Sequence, residues 1–313
     1  MTSKFKIAIF GLGGVGGYFG GKLAANFSNS KDTEIIFIAR GKNEKAIKSN
    51  GLKLVTSQGE QIIHPAIVTS RPGRMGFVDL VICCVKSYDL ETSIESLKPC
   101  VNDNTIILPL LNGVDATERI EKIVSQAEVW EGCVYIISRL IAPGIVKESG
   151  SINVLYFGSE QGTKEKLEHV ETLFKSAGIN AHLSDNILRT LWEKFLFISP
   201  LATLTSYLDL CVGDIVRNKQ HKELLLNLLN EIKKIADAKK ISLSENIIQK
   251  TLDKISSLPY ETTSSMHSDF QRGNKAEVNS LTAYAIELGR ELSVPTPYYE
   301  KLLVGLKEKL VRL

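Results

Sequence analysis

The sequence predicts an α/β protein in which an N-terminal Rossmann-type dinucleotide-binding domain precedes an all-helical C-terminal domain. Short apolar runs of strand length alternate with helical segments through residues 1–184, a pattern typical of a parallel sheet. A glycine-rich turn directly follows the first of these runs. From residue 185 to residue 313 the apolar residues recur at helical spacing instead. We therefore predict two domains, residues 1–184 and residues 185–313.

The composition excludes several classes of protein. The chain has 313 residues, of which 43% are hydrophobic and 23% charged, as expected for a globular protein of about two domains. The net charge is only +3 and the sequence contains no long run of basic residues, so we expect no nucleic-acid partner. No apolar run approaches the ~20 residues that cross a bilayer, so we expect no membrane partner.

The cysteines and the N-terminus bear on location and on metal binding. Cys83 and Cys84 are adjacent within an apolar run, which favours buried, reduced thiols. Residues 1–6 are too short before the first strand to be a secretory signal, so we expect a cytoplasmic protein. Because the sequence has no C-x-x-C and no His–Cys cluster, we expect no metal site.

The first predicted strand, residues 7–10, leads through G-x-G-x-x-G into a predicted helix over residues 15–26. In this motif the first glycine permits a tight turn, the second lets the backbone approach a pyrophosphate, and the third lets helix and strand pack closely. The amide groups at the helix start then face the anion. Glycine turns without a ligand are common, but a strand before and a helix after favour dinucleotide binding. The predicted cofactor contacts are Gly11, Leu12, Gly13, Gly14, Val15 and Gly16.

Arg40 stands at the end of the second predicted strand, residues 34–39. In this fold that position lies beside the adenosine ribose, where an acidic residue favours NAD and an arginine suits the 2′-phosphate of NADP. Lys42 and Lys45 add positive charge nearby. The alternative is that Arg40 merely caps a strand at the surface. Because no Asp or Glu stands at the strand end, we predict NADP(H) as the cofactor.

Two more predicted strands, residues 78–85 and 105–111, are each followed by a polar side chain, Lys86 and Asn112. Ligands of open parallel sheets lie beyond the carboxyl ends of the strands. We therefore expect Arg40, Lys86 and Asn112 on one ligand-binding edge.

The remaining segments complete the two domains. In the first domain we expect an antiparallel pair around a turn at 58–59, a hairpin around the turn at 143–144, and further helices and a strand. In the second domain we expect a helical run over residues 186–208, interrupted at Pro200, and four more helices. The predicted strands of the first domain are residues 52–55, 61–68, 129–140, 145–157 and 179–183, its helices are 90–97, 117–125 and 163–176, and the later helices are 222–239, 244–256, 275–292 and 297–313.

Two polar features stand out in the helical domain. Lys194 lies in a strongly apolar helix, where the commoner explanation is a lysine whose stem covers the core and whose head reaches water. The segment S-S-M-H-S-D-F-Q-R-G-N-K-A-E contains Ser265, Asp269 and Glu277. Its simpler explanation is a polar loop that caps the following helix.

Taken together, these motifs resemble the ketopantoate reductase (2-dehydropantoate 2-reductase) family. They are the opening G-L-G-G-V-G-G-Y-F-G-G, the strand ending in C-V-K, then L-L-N-G, W-E-K, and S-S-M-x-x-D with a downstream glutamate. The resemblance covers nearly the whole chain in the same order and spacing. It implies an NADP-binding Rossmann domain, a helical substrate and catalytic domain, and NADPH-dependent reduction of ketopantoate to pantoate in pantothenate biosynthesis.

The resemblance also implies roles for particular residues. By motif match Lys194 resembles the catalytic lysine, which would act as the general acid, and Glu277 resembles the active-site glutamate, also expected near the cofactor. Ser265 resembles the substrate-binding serine, and Asp269 fits the same loop. Asn112 resembles a polar residue beside nicotinamide and substrate, and Lys86 a cofactor contact.

The chain departs from the family pattern at two positions. Well-known members carry asparagine four and eight residues after the lysine, whereas this chain has Ile198 and Ala202. The pocket should therefore be more apolar, and a branched or larger 2-keto acid is an alternative substrate. Another two-domain dehydrogenase and a non-catalytic NADPH-binding sensor are the rival functions. The sequence leaves monomer and homodimer open.

Overall fold

The computed structural model describes residues 4–311. The strands in this range are β1 (Phe5–Phe10), β2 (Thr33–Ile38), β3 (Leu52–Thr56), β4 (Gly59–Ile63), β5 (Ile67–Thr69), β6 (Leu80–Cys83), β7 (Ile106–Pro109), β8 (Glu128–Val129), β9 (Glu131–Ala142), β10 (Ile145–Gly158) and β11 (Asn180–Leu183). The helices are α1 (Gly14–Asn26), α2 (Gly41–Asn50), α3 (Leu90–Leu97), α4 (Ala116–Glu121), α5 (Lys164–Ser176), α6 (Ile187–Leu208), α7 (Val212–Arg217), α8 (Lys219–Ala238), α9 (Ile247–Ser256), α10 (Ser265–Gln271), α11 (Tyr284–Glu291) and α12 (Pro297–Val311).

The chain divides into two compact units. One unit runs up to Leu111 and resumes over Ala116–Ile187, and the other contains Asn112–Asp115 and everything from Leu188 onward. The short segment Asn112–Asp115 therefore groups with the helices, although it follows a strand of the first unit.

The first unit contains a parallel sheet in the order β5-β2-β1-β6-β7-β8. Strand β1 lies at its centre, with Ile9 in register with Phe37 on one side and Ile82 on the other. Counting only the strands of this sheet along the chain, the order is 3-2-1-4-5-6, which confirms the Rossmann arrangement. Its central strands are buried on both faces, so they read as continuous apolar runs.

Helix α1 lies between this sheet and a second one, and its glycines make that possible. A Cβ at Gly20 would stand 2.9 Å from Ile9 of β1, whereas one at Gly17 would stand 2.4 Å from Val146 of β10. A Cβ at Gly14 would stand 2.1 Å from the Ser138 carbonyl oxygen of β9. The glycines beyond the G-x-G-x-x-G motif therefore allow close packing of α1 on both faces.

The second sheet has the order β11-β10-β3-β4, with β9 paired antiparallel to β10. It corrects two strand predictions. Residues 61–68 are not one strand, because β4 pairs with β3 while β5 pairs in parallel with β2. Pro65 lies between them and lacks the amide that would continue a ladder. Residues 129–140 likewise divide between β8 of the parallel sheet and β9 of the hairpin.

The second unit is helical, and two of its predicted helices are corrected. Helix α6 continues through Pro200 without interruption, and Phe195, Leu196 and Leu201 around the proline are buried. Burial of this apolar stretch offsets the hydrogen bond that the proline removes. The predicted helix over residues 275–292 starts later, with a π-helical turn at Asn279–Ala283 that leads into α11.

No helix within residues 4–311 is both long and apolar enough to cross a membrane.

Candidate active site

The glycine loop between β1 and α1 leaves room for a ligand at one position. Gly11 has a φ of +95°, and a Cβ there would stand 2.8 Å from the Cys84 carbonyl oxygen. A Cβ at Gly16 would stand 2.0 Å from the carbonyl oxygen of Gly11, so both glycines are required by packing. At Gly13, by contrast, no described atom other than its chain neighbours lies within 4 Å of the Cβ position. Open space at the second glycine is where a pyrophosphate would approach the backbone.

The start of α1 is suited to an anion. Among the described side chains none caps this helix, and its first turn contains no acidic residue. The first amide groups of the helix are therefore available to an anionic ligand. Burial raises the pKa of the Cys84 thiol, and that of Cys83 to about 12, so neither thiol adds negative charge beside the loop. These residues fit the pyrophosphate of a dinucleotide.

The six predicted loop residues do not all face this space. The Leu12 side chain is buried in the core, and Gly14 is required by its contact with β9. Val15 is half-buried and packs against the same core. The open position is Gly13, while its neighbours in the loop hold the turn in place.

Arg40 lies beyond the carboxyl end of β2, as predicted. Its Nη2 donates to Ser93 Oγ of α3 at 3.3 Å, and its guanidinium lies 5.8 Å from the centre of the Phe10 ring. The residue is otherwise exposed. The guanidinium is thus held near the ends of β1 and β2 with part of its surface open to an anion.

Lys86 follows β6 in an extended conformation and precedes a short 3-10 turn, Ser87–Asp89. Arg119 donates to the Ser87 carbonyl at 2.6 Å and to Glu91 at 2.7 Å, which fixes this turn on the first unit. The Lys86 side chain is half-buried beyond the end of the strand.

Lys194 and Asn112 meet in the helical unit. Lys194 is 6% exposed, and its Nζ donates to Asn112 Oδ1 at 3.0 Å. A lysine with its stem on the core and its head in water would not show this burial. The acceptor is a side-chain amide oxygen, and this hydrogen bond fixes the direction in which Lys194 Nζ points.

Glu277 lies close in the fold to the Asn112 segment. It is 5% exposed and immediately precedes the residues that open the π-helical turn. At Gly113, whose φ is +103°, a Cβ would stand 3.5 Å from Ser280 Cβ of that turn. The segment after β7 therefore packs against the turn that follows Glu277. Wide π-helical turns are frequent at functional sites.

Ser265 and Asp269 lie on one short helix, α10, rather than in a polar loop. Ser264 caps this helix by accepting from the His267 amide at 3.0 Å, and its Oγ shares a 2.9 Å hydrogen bond with Thr205 Oγ1 of α6. Helix α10 is thus tied to the helix that carries Lys194. Ser265, its first residue, is exposed.

Ile198 and Ala202 follow Lys194 by one and two turns of α6. Ala202 is 1% exposed and Ile198 is half-buried, so this part of α6 offers no amide to a ligand. Nearby polar groups are engaged elsewhere: Ser199 Oγ donates to the Leu281 carbonyl at 2.6 Å, and Thr203 pairs with Thr282 at 2.8 Å.

Two residues of the first unit were not predicted from the sequence. Ser93 is the hydrogen-bond partner of Arg40, and Asn43 binds the backbone of the glycine loop. Neither belongs to a motif, and their partners are distant in sequence. The one available signal for Asn43 was its place three residues after Arg40.

A glycine loop with space for a pyrophosphate on one unit and a buried lysine bonded to an amide on the other point to one class of protein, the nicotinamide-dependent oxidoreductases. Two family models match the chain. "Ketopantoate reductase PanE/ApbA" covers residues 7–162 and "Ketopantoate reductase PanE/ApbA C terminal" covers residues 186–309. The chain belongs to the ketopantoate reductase family, as its motifs indicated.

Individual relatives align with this chain over nearly its full length. The crystal structure of 2-dehydropantoate 2-reductase from Porphyromonas gingivalis W83 is 34% identical, with a TM-score of 0.83 over 96% of this chain and 98% of that one. An uncharacterized oxidoreductase, YkpB of Bacillus subtilis, is 27% identical over 96% of this chain and 98% of its own length. A D-mandelate dehydrogenase solved with NADH and anilino(oxo)acetate shares the fold, with a TM-score of 0.87 and 24% identity over 98% of this chain and 99% of that one.

Proposed function

We propose that this chain reduces a 2-keto acid to a 2-hydroxy acid with NADPH, and that ketopantoate, reduced to pantoate for pantothenate synthesis in the cytoplasm, is its first candidate substrate. The observation that carries the proposal is the buried Lys194, whose Nζ donates to Asn112 Oδ1 at 3.0 Å. A lysine Nζ that is held in place by an amide acceptor can donate a proton to an oxygen on which negative charge develops.

The chemistry of carbonyl reduction explains why such a lysine is needed. A bound reduced nicotinamide supplies a hydride to the carbonyl carbon. Negative charge develops on the carbonyl oxygen, and a positioned N–H donor lowers the barrier to that change. Lys194 Nζ can pass a proton to the oxygen, which makes it the general acid. Asn112 orients Lys194 Nζ, and Glu277 is proposed as a second orienting group, a carboxylate on the same unit.

The first unit supports a preference for NADPH. The Arg40 guanidinium is held between Ser93 and the Phe10 ring, and it retains exposed N–H donors. A guanidinium binds a phosphate with paired hydrogen bonds, whereas a ribose hydroxyl offers it no charge. Lys86, beyond the end of β6, is proposed as a further cofactor contact.

The substrate contacts proposed on the helical unit are Ser265, Asp269 and Asn112. Ile198 and Ala202 favour a second candidate class, 2-keto acids with a branched or larger apolar side chain. A polar substrate would lose hydrogen bonds against these two side chains, whereas an apolar one would bury surface there.

The test is a panel of 2-keto acids mixed with the protein and NADPH, with oxidation followed by the loss of NADPH absorbance. Lys194→Ala should lower turnover by roughly 100-fold to 10,000-fold, the range for loss of a general acid. Its NADPH affinity should stay within about twofold, because the glycine loop and Arg40 belong to the other unit.

Lys309→Ala is the matched control for this variant. Its Nζ donates to the carbonyls of Ser206 and Tyr207 at the end of α6, so it removes a lysine from the same unit and the same helix neighbourhood. It should lower the melting temperature and leave turnover near normal. A stable Lys194→Ala protein with normal single-turnover hydride transfer would contradict the proposed mechanism.

A further inference from the structure

Asn43 joins three parts of the first unit that are far apart in sequence. It lies in α2, and its Nδ2 donates to the Leu12 carbonyl oxygen of the glycine loop at 2.9 Å. Its Oδ1 accepts from the Gly144 amide at 2.7 Å, in the turn of the β9–β10 hairpin. One half-buried side-chain amide therefore ties the loop to the second sheet.

The bond to Leu12 bears directly on the ligand-facing backbone. The Leu12 carbonyl and the Gly13 amide belong to one planar trans peptide, so they point in opposite directions. A donor that holds the carbonyl on one side therefore aims the Gly13 N–H toward the other. Gly13 is the loop position with open space, and a glycine there would otherwise sample many orientations.

The bond to Gly144 fixes the orientation of Asn43 itself. Because Gly144 donates to Oδ1, Nδ2 is the end left to face Leu12. The hairpin turn is also fixed independently of Asn43, because the Gly144 carbonyl accepts a hydrogen bond from the Lys53 amide of β3 at 2.8 Å. The same hairpin reaches the loop directly, where Ser138 contacts Gly14. The β9–β10 hairpin thus supports the glycine loop at two positions, through Asn43 and through Ser138.

We propose that Asn43 is a positioning residue for dinucleotide binding: it sets the Leu12–Gly13 peptide so that the Gly13 amide faces the cofactor phosphates. The inference rests on the dinucleotide site of the proposed function but needs no assumption about the keto acid. A loop that is already ordered binds its ligand more tightly, because it loses less conformational entropy on binding.

The test uses two substitutions that separate the two hydrogen bonds. Asn43→Ala removes both. Asn43→Asp keeps an acceptor for Gly144 but removes the donor to Leu12 and places a carboxylate against that carbonyl. Each protein is titrated with NADPH and with adenosine 2′-monophosphate, which carries the 2′-phosphate and lacks the pyrophosphate. Melting temperatures are measured in parallel.

Both variants lose the hydrogen bond to the Leu12 carbonyl, and we expect each to bind NADPH about three- to tenfold more weakly, the usual effect of one hydrogen bond. Their affinity for adenosine 2′-monophosphate should be unchanged, whereas Arg40→Ala should weaken both ligands. Asn43→Asp retains the hydrogen bond from the Gly144 amide, whereas Asn43→Ala introduces no charge, so the test remains usable with whichever variant folds better.

Two results would overturn the proposal: NADPH affinity unchanged in Asn43→Asp, or an equal loss for both ligands, which would indicate a general disturbance of α2. Failure of the unaltered protein to bind either NADPH or NADH would instead refute the proposed function. The two failures are therefore distinguishable.

Discussion

Replacing Gly13 with alanine should separate cofactor binding from stability. Gly13 has φ −80° and ψ −154°, an extended conformation open to any L residue, and its Cβ position is 4 Å or more from other described atoms beyond its chain neighbours. Alanine is a poorer N-cap than glycine by about 0.5–1 kcal/mol. It also restricts the unfolded chain, which stabilises the protein by about 0.4–1 kcal/mol. The two effects nearly cancel, so the free energy of unfolding should change by less than about 1 kcal/mol.

Dinucleotide affinity should fall sharply in the same variant. The new methyl group occupies the space through which a pyrophosphate reaches the backbone. We expect NADPH and NADH to bind at least about 30-fold more weakly, which corresponds to about 2 kcal/mol. Calorimetric or fluorescence titration measures this without any keto acid.

Gly17→Ala is the matched control, because it should lower stability and leave dinucleotide affinity unchanged. Its Cβ would stand 2.4 Å from Val146 Cγ2, so it should cost about 1–3 kcal/mol of stability by overpacking. Combining it with Val146→Ala should recover part of that loss, because the clashing methyl is removed. Both proteins should retain dinucleotide affinity while folded. If Gly13→Ala bound NADPH as tightly as the unaltered protein, the phosphates would not lie on this loop and the reasoning would be wrong.

Three further predictions concern the cofactor, the substrate and pH. The unaltered protein should bind NADPH at least about tenfold more tightly than NADH, and Arg40→Ala should largely erase that difference in titrations; equal affinities before mutation would refute it. Ile198→Asn should raise kcat/KM for ketopantoate relative to apolar 2-keto acids, and no change in that ratio would show that other residues supply the contacts. Burial, with Glu121 and Glu160 nearby, raises the pKa of Glu131 from 4.5 to about 7. The folded state therefore holds this proton more tightly, and the associated stability, about 1–2 kcal/mol for a half-buried group, is lost as pH rises from about 4.5 to 7. Glu131→Gln should flatten that decline in thermal melts, and an unchanged pH dependence would contradict it.

Local sequence patterns were enough to predict much of the fold. An apolar run followed by G-x-G-x-x-G and a helix predicts β1, the glycine loop and α1, because strand length, turn conformation and helix start depend on neighbouring residues. The positions of Arg40 and Lys86 follow for the same reason, since each is the first polar side chain after a strand. The order of the motifs was also enough to indicate the family.

Other features depended on partners far away in sequence. Lys194 and Asn112 are 82 residues apart, and Asn43 joins residues 31 and 101 positions away. The hydrophobic periodicity of the sequence contains no information about such long-range contacts. Likewise, α6 passes through Pro200 because of the apolar residues buried around it, and the extra glycines of α1 are needed because a second sheet packs on that helix.

The sequence by itself therefore determined the class of fold, the cofactor loop and the candidate residues, because local sterics and hydrophobic pattern act over a few residues. Only the tertiary structure decided which of those residues meet, which glycine faces open space, and where Glu277 lies relative to the π-helical turn. Such contacts come from packing whole elements together, and packing selects among the many pairings that the same local pattern allows.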